Sequence, residues 1–212
     1  MKNIPLFTTE FGIAALVLEK IPYTGQAYIV IQKAAEIPKL LQDCVSFCCA
    51  AGAQSVYASA DVSLDPYPLY TTVISMTQNR EDLPHTDAVA HPVQKVSLSA
   101  WREIYNEKMR EIPNAAFLSI RDSEKLLQEK SCYFVYRENS LLGIGAVGEN
   151  TIKAVAAVVP GGGKDTLLAL CSVLHSDTVS LEVAGNNAPA IRLYSRLGFV
   201  ENGVISKWHK IK

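Results

Sequence analysis

Leu181-Glu182-Val183-Ala184-Gly185-Asn186-Asn187-Ala188-Pro189-Ala190-Ile191-Arg192-Leu193-Tyr194-Ser195-Arg196-Leu197-Gly198-Phe199 is the stretch whose reading decides the fold. It reads as a strand, a tight Gly-Asn turn and a short helix. Asn187 stands where a helix N-cap belongs, because its side chain can accept from the first free backbone N–H groups. Pro189 falls in the first turn, where its missing donor is not needed. Gly198 can take the left-handed conformation that stops the helix. Upstream, Val179, Leu181 and Val183 share one face of the strand and Glu182 points to the other. Along the helix, Ala190, Leu193, Tyr194 and Leu197 make an apolar stripe.

The pattern Asn-x-x-Ala-x-x-Leu-Tyr-x-x-x-Gly-Phe, with Glu182 twelve residues before Tyr194, resembles the C-terminal motif of the GNAT N-acetyltransferase superfamily. Within it, the Leu-Glu-Val…Asn…Leu-Tyr run is most similar to the bacterial ribosomal-protein N-terminal acetyltransferases. The resemblance covers roughly Val93 to Lys212 and implies an α/β (α+β) fold, a mixed central sheet flanked by helices. It also implies an activity: transfer of an acetyl group from acetyl-CoA to a primary amine by direct attack in a ternary complex. By that resemblance Tyr194 is the general acid for the departing thiolate and Glu182 the base that takes the amine proton, directly or through water. On the residues alone, Tyr194 can equally be a packing residue of the stripe, and Glu182 a solvated one. Asn187 either hydrogen-bonds the pantetheine arm, as its family counterpart does, or only caps its helix; the two roles can coexist. Ala190, on the same helix face, joins the expected cofactor contacts.

The grip on acetyl-CoA is expected from Val158-Val159-Pro160-Gly161-Gly162-Gly163-Lys164. A glycine-rich turn that feeds a helix N-terminus lets backbone N–H groups reach a pyrophosphate. Val158 and Val159 correspond to the family's pantetheine-pairing edge and its oxyanion donor. The stretch departs from the family's usual Arg/Gln-x-x-Gly-x-Gly/Ala motif, being shortened to three glycines followed by Lys164 and Asp165. Lys164 suits a phosphate. Asp165 puts a negative charge in the wrong place unless it turns away.

Elsewhere the 212 residues read as two parts. The first, 1–88, shows strands over Phe11 to Lys20 and Gln26 to Lys33 around a Pro22-Tyr23-Thr24-Gly25 hairpin connection. A helix over Ile37 to Ala51 and strands over Ser55 to Ser59 and Tyr70 to Met76 follow. This strand-strand-helix-strand-strand order repeats the middle of the GNAT fold, so the first part is expected to be a degenerate half-domain packed on the second. It has no glycine before its helix and hence no second CoA site. Its expected task is to extend the sheet, cover the acceptor cleft, or form a homodimer. A polar stretch with Asp82, Pro84, His85 and Pro92 reads as a linker. The second part, 93–212, opens with helices over Ala100 to Ile112 and Asp122 to Glu129. Strands over Ser131 to Arg137, Leu141 to Val147 and Thr151 to Val159 come next. A helix from Thr166 to Leu174, the 178–199 stretch and a final strand pair close it. The acceptor cleft is expected around Arg110 to Arg121 and those last strands.

Hydrophobic content of 49% with 19% charged residues and a net charge of −1 describes a compact globular chain. That balance offers no basic footprint for nucleic acid and no polybasic membrane patch. The start, Met1-Lys2-Asn3-Ile4-Pro5, has no apolar leader core, and the longest apolar run is too short to span a bilayer. The chain is therefore expected in the cytoplasm. The cysteines, Cys44, Cys48, Cys49, Cys132 and Cys171, match no zinc spacing and read as small core residues. No metal is expected. The histidines, His85, His91, His175 and His209, read as surface or loop residues. The acceptor is either a small-molecule amine or a protein N-terminus. The competing reading is a catalytically silent GNAT-like module that binds CoA or a partner, suggested by the shortened glycine loop.

Overall fold

The computed structural model describes residues 5–113 and 115–212. Residues 1–4, read above for a leader, and Asn114, inside the expected acceptor segment, lie outside the described residues. Contacts divide the chain into two compact units, Met1–Val73 with Val204–Lys212, and Ile74–Gly203. Residues 74–88, assigned by sequence to the first part, thus count with the second unit, and the last nine residues return to the first.

In the first unit, β1 (Leu6–Thr9), β2 (Gly12–Val17) and β3 (Gln26–Ala34) form an antiparallel meander. The β2–β3 connection contains a one-turn helix, α1 (Ile21–Thr24), capped by Gly25. The helix α2 (Ile37–Ala50) then crosses over to β4 (Ser55–Ser59), which lies parallel to β3. Leu40, Leu41, Cys44 and Cys48 recur at helical spacing and are fully buried against Leu16, Ile29 and Val56. On the other face Tyr28, Tyr57, Val73 and Trp208 make a smaller aromatic cluster.

The second unit repeats this succession on a larger scale. Before it come α3 (Leu98–Met109) and α4 (Ile120–Gln128). Ser119 and Asp122 cap α4 reciprocally, each side chain bonding the other's backbone N–H. The strands β7 (Cys132–Arg137), β8 (Ser140–Val147) and β9 (Thr151–Ala157) are an antiparallel meander. The helix α5 (Gly163–Ser172) leads to β10 (Thr178–Ala184), parallel to β9. After β10 comes α6 (Ala188–Arg196) and then a long strand, β11 (Val200–Lys210).

The two faces of this sheet carry different helices. Leu167, Leu170, Leu181 and Tyr194 bury one face under α5 and α6. Trp101, Tyr105 and Met109 of α3 cover Cys132, Ile144 and Ala156 on the other. Each fully buried leucine stabilises the fold by roughly 1.5–3 kcal/mol. The close seat of α5 depends on Gly143 and Gly145 of β8: a Cβ at Gly143 would collide with Thr166 and the Ala156 carbonyl, and one at Gly145 with Leu170.

Two expectations fail here. Val89–Pro92, read as linker, is a strand, β6, paired antiparallel to β7. The final strand pair is a single strand, β11. The place beside β10 is taken by β5 (Leu69–Asn79), from the first part of the chain. Within the second unit Thr77 of β5 and Asn202 of β11 join by a side-chain hydrogen bond of 3.1 Å. Strand neighbours are set by long-range pairing, which a local hydrophobic pattern does not encode.

The cysteine reading agrees with the structure: Cys44, Cys48, Cys132 and Cys171 are buried and free, with Cys49 half-buried. His209 departs from its surface reading. It is buried on β11, its Nδ1 2.8 Å from the Tyr67 carbonyl oxygen.

Candidate active site

A fork between β9 and β10 organises the candidate residues. The two parallel strands pair only at Ser180↔Thr151 and Leu181↔Ile152. Past those pairs, 153–157 and 182–184 continue as strand without facing each other in register. The cause is local. The β8–β9 register steps from Ala146↔Ala154 to Val147↔Ile152, which leaves Lys153 as the extra residue of a bulge. A bulge bends its strand and reverses which backbone groups point to which side.

That reversal decides the donors. Val158 N–H donates to the Leu142 carbonyl at 2.8 Å, and Val159 N–H leans on the same oxygen at 3.5 Å. The expected oxyanion donor at Val158 is therefore committed to β8. Backbone groups alternate sides along a strand, so those of Val155 and Ala157 face the fork instead. Neither was singled out from sequence, because a one-residue bulge has no local signature.

The glycine loop lies at the open end of β9. Gly161 has φ +80°, a left-handed value that favours glycine. A Cβ at Gly162 would sit 2.8 Å from the Leu142 carbonyl oxygen. At Gly163 it would approach Leu193 of α6 at 3.5 Å and Ala157 of β9 at 4.0 Å. So the loop, the end of β9 and α6 converge at the mouth of the fork. The first α5 hydrogen bond runs from Thr166 N–H to the Gly162 carbonyl at 2.9 Å. The N–H groups of Gly163, Lys164 and Asp165 precede it and have no carbonyl partner in the helix.

Asp165, the awkward charge of the loop, turns away. It accepts from the Thr86 hydroxyl at 2.9 Å and pairs with the Arg137 guanidinium of β7 at 2.6 Å. Burial alone would push its carboxyl up, but Thr86 and Arg137, with Lys164 nearby, more than offset that and hold it below the ordinary carboxylate range. Lys164 is exposed at the first turn of α5.

Asn187 caps α6 as read, its side chain accepting from Ala190 N–H at 3.3 Å. Gly198, at φ +88°, ends the helix, and Phe199 N–H closes back on the Tyr194 carbonyl at 3.0 Å. Tyr194 is 7% exposed and packs in the core, its ring 6.0 Å from that of Phe199. Burial, with Cys171 close by, pushes its phenol up to about 12. Its hydroxyl makes no hydrogen bond to a described residue. Glu182 is exposed on the opposite face of β10 from Leu181 and Val183. Tyr194 and Glu182 thus flank β10 from opposite faces, with no hydrogen bond between them.

A separate open depression of about 730 Å³ lies at the far end of α5, lined by Lys130, Tyr133, Lys153, Leu174 and His175 among others. It contains none of the candidate residues. Among the described residues no group of His, Cys, Asp and Glu could hold a metal ion, and no helix is long and apolar enough to cross a membrane.

No family model and no curated protein matches this chain by sequence. Solved structures do match. A conserved protein of unknown function from Staphylococcus epidermidis aligns with a TM-score of 0.60 at 12% identity, covering 99% of this chain and 94% of that one. A GCN5-related N-acetyltransferase from Sphaerobacter thermophilus aligns at 0.55 and 13%, covering 93% and 75%. A tandem GNAT protein from the clavulanic acid biosynthesis pathway aligns at 0.50 and 11%, covering 94% and 78%. The chain has the GNAT fold. At these identities the likeness is one of fold.

Proposed function

We propose that this chain is an N-acetyltransferase that moves an acetyl group from acetyl-CoA to a primary amine by direct attack in a ternary complex. The observation that carries the reading is the fork: two parallel strands parting beyond a bulge, with a glycine loop, a helix N-terminus and α6 at its mouth. Acetyl-CoA would lie in this fork with its pyrophosphate over Gly161 to Lys164, where unpaired N–H groups and Lys164 suit an anion. The pantetheine arm would pair with the free backbone of Val155 and Ala157, with Pro160, Asn187 and Ala190 along its path. With Asp165 neutralised by Arg137, the shortened loop keeps a net positive character.

Acyl transfer needs a deprotonated amine, donors for the oxyanion and a proton for the thiolate. Glu182, exposed on its face of β10, takes the amine proton directly or through water. The N–H of Ala157 or Val155 stabilises the oxyanion. Tyr194 gives its proton to the departing sulfur. The acceptor is a small-molecule amine or a protein N-terminus; the likeness to ribosomal-protein acetyltransferases, which favours the latter, rests on 181–199 alone. The free state of all five cysteines fits work in the reducing cytoplasm.

The first unit repeats the meander–helix–strand succession, which supports its descent as a half-copy. It is not expected to bind CoA. Its β3 and β4 pair from Gln26↔Ser55 through Val30↔Ser59, the last residue of β4, so no fork opens there.

A second reading, a silent CoA- or partner-binding module, draws on the burial of Tyr194 and its separation from Glu182. Calorimetric titration with CoA, followed by thiol release from acetyl-CoA with mixed amines and free-N-terminus peptides, separates the two. Binding with thiol release supports the transferase. Binding without release under every acceptor leaves the silent module, and no binding at millimolar CoA removes both.

A further inference from the structure

Cys49 stands in the last turn of α2 and is half-buried, whereas Cys44, Cys48, Cys132 and Cys171 are buried. The Lys212 ammonium donates to its Sγ at 3.1 Å. The two residues are far apart in the chain, yet both belong to the first unit.

Each partner is held where it is. Lys212 N–H donates to the Val56 carbonyl at 3.2 Å, and the Lys212 carbonyl accepts from Val56 N–H at 3.1 Å. Ile211 N–H donates to the same Val56 carbonyl at 2.8 Å, and its side chain packs against the α2 core. No basic residue lies in the last turn of α2. Lys212 supplies, from outside the helix, the cation that suits its negative end. Other sulfurs are poorly placed to react with Cys49. Successive side chains on a helix do not face each other, so Cys48 points away. Burial pushes the Cys48 thiol up to about 11 and the Cys44 thiol up to about 12. They keep their protons at neutral pH, and the thiolate is the nucleophilic form. The nucleophile in contact with Cys49 is an amine.

We propose that Cys49 and Lys212 form a peroxide-dependent modification site, in which a sulfur–nitrogen bond reversibly joins the two side chains. Hydrogen peroxide first oxidises the Cys49 thiol to a sulfenic acid, and the peroxide is reduced to water. Lys212 then gives one proton to solvent, and its free amine attacks the sulfur. The S–N bond forms as the S–O bond breaks, and the departing hydroxide takes a second amine proton as water. Sulfenic acids condense with thiols and with nitrogen in this way. Two molecules of an added thiol reverse the link, the first by attack on sulfur and the second by reducing the mixed disulfide. The link would staple α2 to the segment 204–212, which β4 otherwise holds at Ala58↔His209 and Tyr57↔Lys210. A cross-link over so long a loop restricts the unfolded chain and so favours the folded one. The site is independent of the acetyl-transfer reading.

The full chain, treated with equimolar hydrogen peroxide and quenched with catalase, is read by intact mass and peptide mapping. The wild type is expected to lose two hydrogens and to yield the Cys49 and Lys212 peptides joined, and dithiothreitol should undo both. Lys212→Arg keeps the charge beside the sulfur but removes the amine. It should stay unlinked, with its Cys49 sulfenic acid captured by dimedone. Cys49→Ser should give neither product. Melting temperatures before oxidation show that both variants fold. After oxidation the wild type should melt several degrees higher and the variants should not. The absence of a linked pair in the wild type, a link that survives Lys212→Arg, or a linked chain that melts no higher than the reduced one would each overturn the proposal.

Discussion

Replacing Tyr194 by phenylalanine keeps the ring in its contacts with Phe199 and the surrounding core and removes only the hydroxyl. The hydroxyl has no hydrogen-bond partner among the described residues, so no buried group is orphaned by the change, and melting temperature should stay within a few degrees. The catalytic effect should be large. The phenol is held up to about 12 by burial, with Cys171 adding to it, so it carries its proton throughout the neutral range. A protonated phenol is the form that a general acid needs. Loss of such a group typically lowers rate by about 10²–10⁴, or roughly 3–5 kcal/mol of transition-state stabilisation. Turnover in the phenylalanine variant should fall at least about tenfold, with CoA affinity changed little. Steady-state rates, calorimetric CoA affinity and thermal melting on the same preparations measure all three. Normal turnover with normal stability would make Tyr194 a packing residue and refute the general-acid role.

Glu182→Gln should slow turnover most at low pH and recover partly as pH rises and free amine accumulates; a pH–rate profile parallel to the wild type would remove Glu182 as the base. Gly143→Ala drives a methyl group into Thr166 and the Ala156 carbonyl. Overpacking of this kind costs about 1–3 kcal/mol, so melting should drop by several degrees, and an unchanged melting temperature would contradict the close seat of α5. Alkaline stability should fall early. Burial raises Cys44 and Cys171 to about 12 and Cys48 and Cys132 to about 11, from an ordinary 9.0. Their folded values lie above the unfolded ones, so the stability they contribute is complete below pH 9 and is lost as pH climbs from 9 towards 12. Denaturant midpoints measured from pH 8 to 11 should decline across that window, and less steeply in a Cys171→Ala variant; a flat profile would argue against buried thiols.

The amino-acid sequence by itself determined the elements and much of their order. The α6 boundaries follow from Asn187 and Gly198 because capping is a local matter of side-chain acceptors and left-handed backbone. The buried faces of α2 and α3 follow from apolar spacing, and the strand face that Glu182 leaves follows from a period of two. The motif at 181–199 pointed to the GNAT fold, which the solved structures share. Only the tertiary structure decided which strands are neighbours: that β5 lies beside β10, and that Val89–Pro92 pairs with β7. It also decided the chemistry of the fork. The bulge at Lys153 reverses the facing of β9, moving the free donors from Val158 to Val155 and Ala157. Arg137 and Thr86, distant in the chain, remove the charge that Asp165 would have placed on the loop. Periodicity and caps are written within a few residues of where they act. Strand partners, bulge parity and charge pairing depend on residues brought together by the whole fold, so no short stretch of the chain encodes them.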